Sequence, residues 1–95
     1  MPNSSYVKGA RFERKVRDLL MEDGAYVMRN PKSQFPDLIA IHPNGEVWFV
    51  ECKYGTGRAS KEELKNLSIL AKEYNGKAFL FQGKRGGEIN VTSVV

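Results

Sequence analysis

Asp37 opens an apolar run, residues 37–42, while Glu51 and Lys53 close a second one, residues 46–53, with Cys52 between them. A charge set into such a run is costly to bury unless a partner or an ion compensates it. Two carboxylates converging at the end of a strand pair make a site for a hard cation, because all-oxygen ligands select Mg²⁺ or Mn²⁺ over zinc. A lysine beside them is placed to orient or deprotonate a water. A carboxylate–lysine salt bridge at a strand end accounts for the same spacing without chemistry, and the spacing alone leaves both open.

Whether the charges meet depends on the turn Pro43-Asn44-Gly45. If Asn44-Gly45 forms a two-residue type I′ loop, Asp37 falls opposite Cys52 and on the other sheet face from Glu51. If all three residues form the loop, with Pro43 at the first type I position and Gly45 left-handed, His42 pairs with Glu46 and Asp37 falls opposite Glu51. Pro43 lacks the N–H a paired position requires, which favours the three-residue loop. Asp37, Glu51 and Lys53 then share one face, the opposed residues with Cβ atoms about 4.5–5.5 Å apart. Cys52 turns away with Trp48 and Val50 as a small core residue. Glu13 borders the buried stripe of the first helix and is placed to supply a third carboxylate, or else to pair with Arg17 one turn on.

The elements that must hold these groups read as α-β-β-β-α-β-β, a mixed sheet flanked by helices. Phe12, Val16, Leu19 and Leu20 recur at helical spacing over residues 5–22, stopped by Asp23-Gly24. Residues 25–30 make a short strand ended by Pro31, and the hairpin follows. Ser60-Lys61-Glu62-Glu63 is a capping box, starting a helix with Leu64, Leu67, Leu70, Ala71 and Tyr74 on one face, ended by Asn75-Gly76. Residues 77–82 and 88–94 are the last strands. The chain reads as one domain, residues 1–95, without repeats or linkers.

Hydrophobic content of 41% and charged content of 27% are ordinary for a globular chain. One cysteine excludes an internal disulfide and fits a reducing compartment. No apolar stretch approaches the ~18 residues of a membrane span and no signal-peptide core opens the chain, so a soluble cytoplasmic protein with no membrane association is expected. The net charge of +4 suits a polyanionic partner. Lys8, Arg11, Arg14, Lys15 and Arg17 crowd the first helix, Arg29 and Lys32 precede Asp37, and Arg58, Lys61, Lys84 and Arg85 lie in or near loops. Solvated faces kept for solubility are the plainer account of the same charges. His42 lacks partners at zinc spacing and is expected at the surface. Phe12, Phe79 and Phe81 suit core packing, and Phe35 suits stacking on bases.

The series Lys8-Gly9-x-x-x-Glu13-Arg14, Arg29-x-x-x-Ser33-x-x-x-Asp37 and Glu51-x-Lys53 resembles the archaeal-type Holliday junction resolvases, members of the PD-(D/E)XK nuclease superfamily. The resemblance runs from about Lys8 to Phe81. It implies a restriction-endonuclease-like fold and a homodimer that nicks two strands of a four-way DNA junction using Mg²⁺, with no small-molecule cofactor. By the same resemblance Glu13, Asp37, Glu51 and the Cys52 carbonyl are metal ligands, Lys53 serves the attacking water, and Ser33 lies near the scissile phosphate. Arg14 and Arg29 match DNA-contacting positions, and Lys8, Arg11, Lys32, Arg58 and Lys61 complete the candidate DNA-binding set. The second helix and the final strand are the expected dimer surface. Two alternatives stand beside this. One is another superfamily nuclease acting on flaps or branched DNA, such as the VRR type, which shares Phe35-Pro36-Asp37 and a Glu-x-Lys followed by Gly and Ser-x-x-Glu, although Glu63 stands here where that branch usually has Gln. The other is a non-catalytic DNA-binding module on the same fold.

Overall fold

Phe12, Val16 and Leu20 repeat every fourth residue and bury one stripe of α1 (Ser4–Glu22) against the sheet. Leu19, expected in that stripe, is 43% exposed because it lies one position off the contact line. The computed structural model of the chain describes residues 4–31 and 34–95. Lys32 and Ser33, a candidate DNA contact and a candidate catalytic residue, lie outside the described residues. A Schellman motif ends α1: Gly24 takes φ +98°, its N–H donates to the Met21 carbonyl, and the Ala25 N–H reaches back to Leu20. Ala25 is buried as the apolar residue that follows such a stop.

Five strands form one sheet in chain order: β1 (Tyr26–Arg29), β2 (Leu38–Ile41), β3 (Val47–Tyr54), β4 (Lys77–Gly83) and β5 (Ile89–Val94). Neighbouring strands are antiparallel except β3 and β4, which run parallel because α2 (Lys61–Glu73) carries the chain back between them. The order α-β-β-β-α-β-β and the mixed sheet agree with the sequence pattern. The capping box of α2 forms as read, with Ser60 Oγ accepting the Glu63 N–H at 3.0 Å and a Glu63 oxygen accepting the Ser60 N–H at 2.9 Å.

Strand alternation sorts the core into two layers. Leu38, Ala40, Val50, Cys52 and Phe81 pack under α1, whereas Phe49 and Ala78 pack with Leu67 and Ala71 of α2. One glycine sets how closely α1 approaches. A Cβ at Gly83 would sit 2.4 Å from the Phe12 ring, so the absence of a side chain there lets the ring lie on β4. His42 departs from expectation: it is half-buried, its ring 4.3 Å from that of Trp48, and its Nε2 has no hydrogen-bond partner among the described residues.

Candidate active site

The β2–β3 hairpin has the odd loop. The His42 N–H donates to the Glu46 carbonyl at 2.8 Å, the Gly45 N–H donates to the His42 carbonyl at 2.9 Å, and Gly45 adopts φ +92°. Leu38 pairs with Val50, so the next pair outward is Asp37 with Glu51. There the side chains replace the ladder. The Asp37 N–H donates to Glu51 Oε1 at 3.0 Å, and the Cys52 N–H donates to Asp37 Oδ2 at 2.8 Å. Each carboxylate thus satisfies a backbone donor on the opposite strand, which accounts for two nearly fully buried acids, Asp37 at 6% and Glu51 at 4% exposure. Among the described residues, the second oxygen of each accepts no hydrogen bond.

Lys53 lies on the same face as Glu51, toward α2, and Cys52 is turned into the core beneath α1. The Lys53 ammonium donates to Glu63 Oε2 at 2.9 Å, so α2 supplies its partner. Glu13 reaches the same cleft from α1, around the open end of the sheet. The cleft holds about 370 Å³ and is walled by Glu13, Phe35, Asp37, Glu51, Cys52, Lys53, Glu63 and Asn66. Glu13 does not pair with Arg17, which binds its neighbour Asp18 at 3.0 Å. Its Oε1 faces Arg29 Nε at 3.2 Å, an ion pair whose geometry is not that of a hydrogen bond, so both atoms are buried without one.

The electrostatics follow from burial. Desolvation raises the Glu51 carboxyl to about 7, with the Asp37 charge adding to it and the bond from the Asp37 N–H opposing it. Burial also raises Asp37, partly offset by the Cys52 N–H and by Lys53. Burial and the Asp37 charge raise Glu13 against the pull of Arg29. Burial works to lower Lys53, but the bond and charge of Glu63, then the charges of Glu51 and Asp37, outweigh it and hold the ammonium form. Held as the ammonium, Lys53 brings hydrogen-bond donors and a positive charge to the cleft. Burial pushes the Cys52 thiol far above its ordinary range, as fits a core residue.

Two buried acids whose ionisation burial disfavours, each with an oxygen that accepts no hydrogen bond among the described residues, are the donor chemistry that suits a hard divalent cation. Asp37 and Glu51 fit as its ligands, each with an oxygen to spare. Glu13 shares the cleft but is engaged by Arg29, and among the described residues no three metal-ligating side chains stand together as a ready cage. The expected trio of carboxylates is therefore brought to one cleft but not to one point.

Of the basic candidates, Lys8, Arg11, Arg14 and Lys61 are exposed. Arg58, also exposed, donates to the carbonyls of Gly55 and Gly57 at 3.1 and 3.0 Å and braces its own loop. Sequence reasoning passed over a second cleft of about 290 Å³, rimmed by Lys8, Arg11, Lys15 and Lys84 over a floor of Phe12 and Tyr54. Spacing 8, 11, 15 on one helix was a signal for its first wall. Lys84 arrives through the β4–β5 turn, which no local pattern relates to α1.

The mixed five-stranded sheet flanked by two helices is a restriction-endonuclease-like fold. The family model described as "Archaeal holliday junction resolvase (hjc)" matches residues 4–94, and the chain belongs to that family. It is 36% identical over 78 residues to the crossover junction endodeoxyribonuclease Hjc of Methanocaldococcus jannaschii, covering 79% of this chain and 58% of that relative. The chain thus spans little more than half the length of the curated relative it matches. The structure of Archaeoglobus fulgidus Hjc, described as a Holliday junction resolvase from an archaeal hyperthermophile, superposes with a TM-score of 0.78 at 22% identity, covering 92% of this chain and 73% of that one. Among the described residues no helix is long and apolar enough to cross a membrane.

Proposed function

We propose that this domain is a metal-dependent endodeoxyribonuclease that resolves four-way DNA junctions by paired nicks, acting as a homodimer with Mg²⁺. The observation that carries this is the crossed exchange between Asp37 and Glu51, which aligns two buried carboxylates beside a lysine held in its charged form. Family membership and the name of the curated relative support the same reading. Mg²⁺ held by Asp37 and Glu51 would supply Lewis acidity toward a phosphate oxygen and toward a water.

The remaining work falls to the chain. The Lys53 ammonium donates to the attacking water or to a phosphate oxygen and stabilises the negative charge that develops there. The bonds from the Asp37 and Cys52 amides hold the two carboxylates in place, so no reorganisation is needed when DNA arrives. Glu13, tied to Arg29, sets the charge of the wall opposite. Exposed Lys8, Arg11 and Arg14 of α1 and Lys61 of α2 take backbone phosphates. One chain offers one such cleft, so two coordinated nicks call for two chains related by a two-fold axis. The groove between α2 and β5, with exposed Ile69 on its wall, is the surface for the second copy.

A substrate panel tests the reading: a four-way junction, a flap and a linear duplex of the same sequences, each labelled on either strand and incubated with Mg²⁺. Symmetric nicks on opposed strands of the junction, and little cutting of duplex, are expected. Preferential cutting of the flap would assign the domain to another branch of the superfamily. Junction binding without cutting of any member would make it a non-catalytic DNA-binding module.

A further inference from the structure

We infer that Glu63 is a positioning residue for Lys53, a role that rests on the nuclease reading of the cleft. Its carboxylate is divided between two partners. Oε1 accepts the Ser60 N–H at 2.9 Å, while Oε2 accepts the Lys53 ammonium at 2.9 Å. Ser60 Oγ accepts the Glu63 N–H at 3.0 Å and so caps the backbone of α2, whereas the Ser60 backbone N–H is what orients the carboxylate. A glutamate at this place in a capping box needs only the first partner, and the second is an addition the cap does not require.

The second bond matters because of what else faces Lys53. Its stem is long and freely rotating, and among the described residues Glu63 is the group that hydrogen-bonds its ammonium. Asp37 and Glu51 attract the same ammonium through their charge. Released from Glu63, Lys53 would fold onto the spare oxygens of Asp37 and Glu51, occupying the acceptors meant for the cation. Glu63 therefore holds the lysine in line and keeps the two carboxylates clear. The first turn of α2 acts on the chemistry through this one shared side chain.

Three variants test this in the whole chain: Glu63→Ala, Glu63→Gln and Ser60→Ala. Each is assayed for single-turnover cleavage of a labelled four-way junction at saturating protein in Mg²⁺, and separately for junction affinity in Ca²⁺. Glu63→Ala should cut about 10–100-fold more slowly, the scale of a misplaced reacting group, with affinity changed less than about two-fold. Glu63→Gln should recover much of the rate, since its amide oxygen still accepts from Lys53 even though its amide nitrogen cannot accept from Ser60. Ser60→Ala, which weakens the cap but leaves the Lys53 bond, should melt a few degrees lower and cut within about two-fold of wild type. Equal slowing by Glu63→Ala and Ser60→Ala, or a Gln variant no better than Ala, would reduce Glu63 to a helix cap and overturn the proposal. A wild-type protein that cuts no junction defeats the nuclease reading and this role with it, whereas wild-type cutting undiminished by Glu63→Ala removes the positioning role alone.

Discussion

Replacing Glu51 by Gln should strengthen the metal-free protein while destroying its activity. Burial and Asp37 raise the Glu51 carboxyl from 4.5 to about 7, so the folded state binds its proton more tightly than the unfolded state does. For a raised carboxyl the sign is unfavourable: stability is lost as pH climbs between those two values, and the whole penalty is present above about 7. At ~1.4 kcal/mol per pH unit the penalty is about 3 kcal/mol at alkaline pH. Glutamine has no charge to desolvate and still offers an amide oxygen to the Asp37 N–H. The bond from the Asp37 N–H is already counted in that value, but the new amide NH2, buried without a partner, offsets ~1 kcal/mol of the gain. A net gain of about 1–2 kcal/mol remains, or roughly 5–15 °C in melting temperature for a domain of this size. The assay is thermal denaturation followed by circular dichroism in chelator, at about pH 8 and about pH 5, for wild type and Glu51→Gln. The gain should be present at the higher pH and largely gone at the lower. Saturating Mg²⁺ should raise wild type and leave the variant unmoved. A variant less stable than wild type at the higher pH, or a gain of equal size at both, would refute the account of Glu51 as a strained, cation-seeking carboxylate.

Other expectations use different parts of the molecule. Gly83→Ala puts a methyl 2.4 Å from the Phe12 ring and should cost about 1–3 kcal/mol in urea denaturation, with part recovered by Phe12→Leu. Junction affinity should fall steeply with salt, and Lys8→Ala or Lys84→Ala should each lower the log–log slope by about 1, as loss of one phosphate contact does. An unchanged slope would remove those side chains from the DNA face. The Cys52 thiol, buried beneath α1, should stay unreactive to a disulfide reagent until the protein unfolds, and rapid labelling of native protein would contradict its core placement.

How far the sequence speaks for this site depends on range. Hairpin parity was legible because Pro43 cannot donate in a ladder and Gly45 accepts positive φ, so the Asp37–Glu51 pairing followed by counting. The α2 cap was legible because Ser60 and Glu63 are three residues apart. What escaped was decided by how elements approach in space. Helical spacing offered Arg17 to Glu13, but β1 delivered Arg29 instead. Leu19 matched the apolar period and still faces outward, since α1 contacts the sheet along a narrower line. His42, beside a turn, stacked on Trp48 across the hairpin. The bond between Glu63 and Lys53 joins a helix start to a strand end, and neither local pattern hints at the other.

The most direct measurement is cleavage of an end-labelled four-way junction in Mg²⁺ by wild type and by Asp37→Asn at equal DNA occupancy. Wild type should release paired nicks, and the variant should bind as well but cut at least about 100-fold more slowly, having lost a charge that both faces the cation and fixes the Cys52 amide. Cutting by the variant at the wild-type rate would contradict the crossed Asp37–Glu51 pair as the seat of the chemistry.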